Sequence, residues 1–563
     1  MALLPRSRTA QIALDTLMLG LFGAVAAWVF NHLLGVSTTL FLRRLAGYSP
    51  PGLPSEGGIP IETIGSHGLW LIPVVGALGG LIVGLITVWL APEAEGHGTD
   101  AVVRAFHREG GKLRARVAPV KLVTSAITIG SGGSAGREGP IAMVAAALGS
   151  WYADLTKRDE QQRRVLLLVG AAAGISAIFR SPIGAALFSV EVLYADVEFE
   201  ASVLLYATLA AIVAYALAGL VNGFGALFVV PLPIQPLTNR LAYGWYAVLG
   251  VVAGLFGTAL PIIFYRTRDL FRALPVPGAV KPAIGGLLTG GLAMFLPQLI
   301  GGGYGWMQRA IDGQLALSAL LALAVAKIFA LSFSVASGGS GGVFAPSLYI
   351  GAMLGGACAG IAHLPAAPFV IVGMAAVFAG AAHVPFATMM MVVEMTGGYS
   401  LLVPAALAVS LSYLVQSRLS SGLKYRSIYE AQVASRGESP AHHTAHLGIA
   451  LEILRKQQPS NLSHLGELDL VALLRSGVEV ELAEGQRLMV GVLRGDSAFA
   501  NTSVAASGRA LAGEGGNTNI LAILRGEHMV APRADVVLKP GDRLIMVAAD
   551  GDLSRLRAHF DPW

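Results

Sequence analysis

Ser131-Gly-Gly-Ser-Ala-Gly-Arg-Glu-Gly-Pro140 is matched 206 residues later by Ser337-Gly-Gly-Ser-Gly-Gly-Val-Phe-Ala-Pro346. The same offset pairs Gly149 with Gly355, and an offset of 203 pairs Gly170, Pro182 and Glu191 with Gly373, Pro385 and Glu394. Two blocks in one order, with three residues of slippage between them, mark a tandem duplication of a unit roughly 200 residues long, with copies over about 60–222 and 241–430. Each run ends in Gly-x-x-x-Pro and then turns apolar and small, over Ile141 to Ser150 and Ser347 to Gly356. Proline suits the first turn of a helix. Packing glycines would recur every four residues inside helices, whereas these cluster just before a helix start.

The duplicated unit belongs to a membrane. The 563 residues are 54% hydrophobic and 13% charged, with a mean hydropathy of +0.65; a soluble domain carries about 25% charged residues. Of 73 Asp, Glu, Lys and Arg, 28 lie from Arg436 onward and 45 in the first 435 residues. That predicts a membrane domain over 1–435 and a soluble domain over 436–563. Thr16 to Leu42, Thr63 to Pro92, Ala201 to Asn239, Leu241 to Tyr265 and Pro282 to Gln308 carry no such charge, and each exceeds the ~20 residues of a spanning helix. Ile328 to Val393 runs for 66 residues, so it crosses more than once or folds back.

Arg6 and Arg8 before Ala24-Val25-Ala26 imitate a secretory signal, but the apolar run continues to Leu42, so a retained first helix is expected. Basic clusters at Arg104 to Lys121, Arg266 to Arg272 and Arg418 to Arg426 are assigned to the cytoplasmic side, and both termini with them. The first 435 residues hold 26 basic against 19 acidic side chains. That net +7 is modest and argues against nucleic acid as a partner. Cys358 is the only cysteine, so no disulfide framework or cysteine metal site is expected, and no cofactor is indicated.

Interrupted helices at corresponding positions of two membrane repeats point to a binding site at the repeat interface. Two free helix starts offer unpaired N–H groups and positive dipole ends to a dehydrated anion, without a full charge that would trap it. Glu138 lies inside the first run, and its repeat partner is Phe344. A carboxylate at membrane depth is a functional candidate: ionised it takes the anion's seat, and protonated or swung away it vacates it. The alternative is a structural ion pair with Arg137. Glu191 and Glu394, equivalent in both copies, are expected to share a structural role such as holding a loop backbone.

Gly136-Arg-Glu-Gly-Pro140 and Gly342-Val-Phe-Ala-Pro346 resemble the GREGP and GxFxP motifs of the CLC family of chloride channels and chloride/proton antiporters, and repeat order and spacing agree over about residues 12 to 430. The resemblance implies an all-α polytopic membrane protein with two inverted repeats of tilted and re-entrant helices. It also implies a homodimer with one pore per subunit. Carried over by motif, an external anion site uses backbone N–H groups around Arg137 to Gly139 and Val343 to Ala345, with Glu138 as the gate. A central site uses the Val343 and Phe344 amides and the hydroxyl of Tyr429, Tyr425 being the other choice.

Two departures bear on function. Where the family reads Gly-Ser-Gly-Ile-Pro, this chain reads Gly96-His-Gly-Thr-Asp100, so His97 replaces a serine tied to anion preference. A histidine titrates near neutrality, which puts anion identity in question and predicts pH-sensitive transport unless His97 merely points to the cytoplasm. Val192 stands where coupled members often carry a proton-transfer glutamate. The expectation is therefore passive chloride conduction, with coupled chloride/proton antiport as the alternative.

The tail predicts a small α/β cytoplasmic domain. Ser435 to His446 reads as a linker, Leu447 to Lys456 as a helix, and Arg487 to Leu493, Asn519 to Leu524 and Arg543 to Ala548 as strands, with Lys539-Pro-Gly-Asp542 a turn. Ile520 to Gly526, Pro532 and Lys539 to Asp542 resemble the C-terminal regulatory domain of TrkA-type potassium-uptake proteins. That implies a dimerising module which binds a small ligand, a nucleotide among the options, or only stabilises a dimer. No Gly-rich phosphate loop is present. Gly132-Gly-Ser-Ala-Gly136 also fits the GxSxG elbow of hydrolases, but no strand is expected before it, so an enzyme is not the reading. A cation transporter is disfavoured because helix starts repel cations.

Overall fold

The computed structural model describes residues 8–66, 68–230, 240–435, 439, 441, 480–481, 486–507, 518–525, 528–530, 532–549 and 552–562. The chain forms two compact units, Met1–Gln432 and Val433–Trp563. In the first, α1 (Arg8–Thr38) leads into one repeat: α2 (Ile72–Leu90), α3 (Thr99–Arg108), α4 (Val117–Gly130), α5 (Glu138–Leu155), α6 (Glu160–Phe179), α7 (Pro182–Glu191) and α8 (Ala201–Asn222). Then α9 (Arg240–Ala273) leads into the second: α10 (Lys281–Phe295), α11 (Tyr304–Ile311), α12 (Leu317–Val335), α13 (Phe344–Ala362), α14 (Ala366–Ala382), α15 (Pro385–Thr396) and α16 (Leu402–Ser420). Among the described residues, nine helices are long and apolar enough to cross a membrane. This is a multi-pass membrane protein.

Small residues decide which helices form the centre. A Cβ on Gly149 would lie 2.2 Å from the Leu166 carbonyl, and one on Gly170 2.4 Å from that of Ala145, so the backbones of α5 and α6 touch. Gly355 and Gly373 repeat this between α13 and α14, at 2.1 Å from Phe369 O and 2.3 Å from Gly351 O. Close approach through small side chains is how helices associate where lipid removes the hydrophobic drive. Large apolar side chains point outward instead: Leu205, Leu209 and Ile212 on α8, and Val248, Val251 and Leu255 on α9, are exposed.

Glu191 and Glu394 exchange helix caps. Glu191, the last residue of α7, accepts from the Phe386 (3.1 Å) and Ala387 (2.6 Å) amides at the start of α15. Glu394 on α15 accepts from the Ile183 (3.2 Å) and Gly184 (2.9 Å) amides and the Ser181 hydroxyl (2.5 Å) at the start of α7. The expected backbone-holding role is thus present in both copies. Helix α9 outruns its charge-free window, which ended at Tyr265. It continues because Arg268 lies over the Tyr265 and Tyr425 rings and pairs with Glu430 at 2.8 Å.

In the second unit the expected strands are present as Gln486–Leu493 (β4), Asn519–Arg525 (β5) and Arg543–Ala549 (β7). With Val480–Glu481 (β3), His528–Val530 (β6) and Phe560–Pro562 (β8) they form an antiparallel sheet ordered β3-β4-β7-β5-β6, with β8 also on β4. Tyr48–Ser49 (β1) and Thr63–Ile64 (β2) pair separately in the first unit. Leu544, Met546, Ile523 and Leu493 pack with Leu556 of α17 (Leu553–His559) and Phe560 to make the small core. The Lys539–Asp542 turn closes by Asp542 N–H donating to Lys539 O at 2.9 Å, and Asp542 receives both Nε (2.9 Å) and Nη2 (2.8 Å) of Arg525. Helix Leu447–Lys456 and most of the expected linker lie outside the described residues.

Candidate functional site

The two glycine runs meet. Gly132 and Gly338 both take φ +104°, a left-handed value that favours glycine, and turn the chain back after α4 and α12. Gly136 and Gly342, equivalent in the repeat, then exchange N–H···O bonds of 2.7 Å in each direction. Immediately beyond this bridge α5 begins at Glu138 and α13 at Phe344. Each helix start carries roughly half a positive charge, so the bridge sets two positive ends side by side. Helix α4, not a strand, precedes Ser134, so the hydrolase elbow is not formed.

Two further loops close around the bridge. Gly96 N–H donates to Gly339 O at 3.0 Å, and Gly301 N–H makes the equivalent bond to Gly133 O at 3.1 Å. Each loop is clamped by a buried lysine. Lys121 Nζ donates to Ala94 O (2.8 Å) and Gly96 O (2.6 Å), while Lys327 Nζ donates to Leu299 O and Gly301 O, both at 2.8 Å. Gly98 takes φ +89° and brings its backbone against Gly139 of α5.

Glu138 is 4% exposed, and its carboxylate lies on the bridge. A Cβ on Gly136 would be 1.8 Å from Oε2, and one on Gly342 2.9 Å away, so the seat exists only because both residues are glycine. The amides of Glu138 itself and of Ala345 face the carboxylate. Oε1 accepts from the Tyr304 hydroxyl at the start of α11, and Oε2 is buried with no hydrogen-bond partner. Arg137 does not pair with its neighbour: Nη2 bonds Glu56 Oε1 at 2.5 Å, Nη1 bonds Asn31 Oδ1 at 3.2 Å, and the guanidinium lies 4.9 Å from the Tyr304 ring centre. A cavity of about 220 Å³ opens here, lined by Glu56, Arg137, Gly302, Tyr304 and Trp306 among others.

On the other side of the α13 start, Phe344 packs edge-on against Phe378 at 4.6 Å and Phe179 at 5.2 Å. Phe378 and Phe188 also touch the ring of Tyr429, each at 6.4 Å. His97 completes this group, 5.3 Å from Tyr429. It does not point into open solvent: it is 6% exposed, and Nε2 lies 3.1 Å from Asp100 Oδ2. Tyr425 is elsewhere, stacked on Tyr265 at 4.1 Å and accepting from Arg268. The structure therefore gathers Gly96, His97, Gly98, Arg137, Glu138, Gly139, Val343, Phe344, Ala345 and Tyr429 around one pair of helix starts. Sequence reading missed Tyr304, Asp100, Lys121 and Lys327. The lysines had a signal, since they stand 206 residues apart inside apolar helices; Tyr304 had none.

Residues 79–417 match the family described as voltage gated chloride channel. The chain belongs to the CLC family. Residues 492–561 match the TrkA-C domain. Among CLC relatives, the H(+)/Cl(-) exchange transporter ClcA of Vibrio campbellii is 31% identical over 63% of this chain and 78% of its own length. That of Klebsiella pneumoniae is 30% identical over 62% and 75%. A ClcB-like chloride channel protein of Ralstonia nicotianae is 29% identical over 61% and 82%. A CLC-type fluoride/proton antiporter superposes with a TM-score of 0.63 at 22% identity, covering 77% of this chain and all of the other. A slow cyanobacterial Cl−/H+ antiporter gives 0.62 at 23%, covering 76% and 97%. These two share the CLC fold.

Proposed function

We propose that this CLC protein exchanges chloride for protons across a membrane, with Glu138 as both gate and proton carrier. One observation carries the reading: the Glu138 carboxylate occupies the junction of the α5 and α13 starts, where the Glu138 and Ala345 amides face it. An anion arriving at that junction must displace the carboxylate. Displacement is easiest when the group has taken a proton, which couples anion entry to proton uptake. The junction with Arg137 to Gly139 and Val343 to Ala345 serves as the outer anion site. The Val343 and Phe344 amides, the Tyr429 hydroxyl and the Gly96 to Gly98 loop serve as the inner one.

Val192 favoured passive conduction. The relatives named exchange transporters favour coupling, and a single position weighs less than likeness over some 360 residues. The protein works as a homodimer with one pathway per subunit and both termini cytoplasmic, a reading supported by the family fold and the basic clusters. In liposomes holding the purified protein, an outward chloride gradient should drive protons inward against their own gradient. Glu138→Gln should abolish that proton movement and leave chloride flux. Chloride flux without uphill proton movement in the unaltered protein would return the reading to a channel.

A further inference from the structure

The inner end of the pathway holds a titratable pair that the mechanism above leaves unused. Asp100 on α3 is held as an acceptor: Oδ1 receives the Ala431 amide at 3.2 Å, and Oδ2 lies 3.1 Å from His97 Nε2. A carboxylate that accepts at both oxygens requires the neutral imidazole to carry its proton on Nε2. Nδ1 is then a bare lone pair, and it is buried with no hydrogen-bond partner. Its ring bonds Asp100 through Nε2 and packs 5.3 Å from the ring of Tyr429, the residue assigned to the inner anion site.

A lone pair repels an anion, so the neutral form of His97 works against occupancy of that site. Protonation reverses this. The imidazolium presents Nδ1–H to the anion while Nε2–H stays on Asp100, and the charge of the ring is balanced by the carboxylate behind it. The result is a donor without net charge, which attracts an anion without trapping it. The other ionisable groups around the pair are already engaged. Lys121 on α4 is spent on the Ala94 and Gly96 carbonyls, and Glu138 on α5 on Tyr304. On α9, the Tyr265 hydroxyl donates to Ile428 O, and Arg268 holds Glu430 of the terminal segment. Glu95 lies in the clamped loop beside Lys121, and Tyr429 packs its ring against that of His97 with its hydroxyl on Thr99.

We propose that the His97–Asp100 pair is a second proton site, which takes up one proton when an anion binds beside Nδ1 and returns it when the anion leaves. This rests on the anion-pathway reading and deepens it, because it supplies a titratable group at the end of the path where Val192 offers none. Linkage is reciprocal: anion affinity falls as pH rises, up to about tenfold per unit where one proton accompanies each anion.

The test uses full-length protein carrying Glu138→Gln, so that the gate cannot contribute protons. Chloride is titrated calorimetrically between about pH 5.5 and 8 in two buffers of different ionisation enthalpy. The expected result is an affinity that weakens with pH and a buffer-dependent heat corresponding to up to one proton taken up per subunit. Adding His97→Ser should lower chloride affinity at the acid end of the range, flatten its pH dependence and remove the proton uptake. Adding Asp100→Asn instead should move the pH dependence toward more acid values, since the imidazolium loses its counter-charge. Flat affinity in Glu138→Gln, as for an Nδ1 that merely accepts from a trapped water, would overturn the proposal. So would undiminished proton uptake in Glu138→Gln/His97→Ser. No chloride binding in any variant would overturn the anion-site reading itself, and this proposal with it.

Discussion

At the scale of single residues, the proposed gate is defined by what is missing around it as much as by what is present. Glu138 lodges against two glycines that leave room for its Oε2, and one hydroxyl, from Tyr304, holds the other oxygen. A hydrogen bond to a charged group contributes about 1.5–3 kcal/mol, which here stabilises the closed position. Tyr304→Phe removes that bond but keeps the ring over which Arg137 lies. Chloride flux into liposomes at neutral pH should therefore rise by about ten- to a hundredfold, since 1.4 kcal/mol is a factor of ten in an equilibrium. Unchanged flux would mean that the hydroxyl does not restrain the gate. Proton coupling should weaken in the same variant, because a carboxylate that leaves its seat without a proton lets anions pass alone.

At the scale of elements, each repeat supplies the cap that the other lacks. Removing the Glu191 side chain strands the Phe386 and Ala387 amides, and removing that of Glu394 strands those of Ile183 and Gly184. A buried donor left unpaired costs about 1–3 kcal/mol. Glu191→Ala and Glu394→Ala should thus lower the thermal midpoint in detergent by similar amounts, and Gln at either position should recover part of the loss. In the tail, Asp542→Ala frees Arg525 and opens the Lys539–Asp542 turn. Hydrogen exchange of the full chain should then lose protection over β5 and β7, by about 2 kcal/mol, with the membrane helices unaffected. These elements differ in how legible they were. The glycine runs, the glutamate pair and the turn were readable because each is a local pattern with a fixed physical demand: a left-handed φ, a helix start, a reversed chain. The Tyr304 contact and the His97–Asp100 geometry were not, because they join segments or orientations that only the packed helices decide. Val192 by itself decides little between conduction and coupling, for a related reason. One position reports whether a particular carboxylate is present, while coupling depends on whether any titratable group reaches the pathway.

At the scale of the whole molecule, the duplication is a mechanical statement. Two helix starts meet only if α5 on α6 and α13 on α14 are seated at equal depth, and that seating is set by glycines at equivalent positions. A methyl on Gly170 would come within 2.4 Å of Ala145 O, and one on Gly373 within 2.3 Å of Gly351 O. Neither obstacle is a flexible side chain, so the helices must separate. Overpacking of this kind costs about 1–3 kcal/mol. On the proposal that the starts of α5 and α13 form one site, wedging either repeat should damage the same function. Gly170→Ala and Gly373→Ala are each expected to lower the thermal midpoint and to reduce chloride flux by a comparable factor, although no anion-binding atom is altered. Gly291→Ala is the control: it lies in α10 with nothing within 4 Å of the added atom, and should change neither. If one wedge abolished flux and its counterpart left it intact, the pathway would belong to a single repeat, and the meeting of the two helix starts would be structural alone.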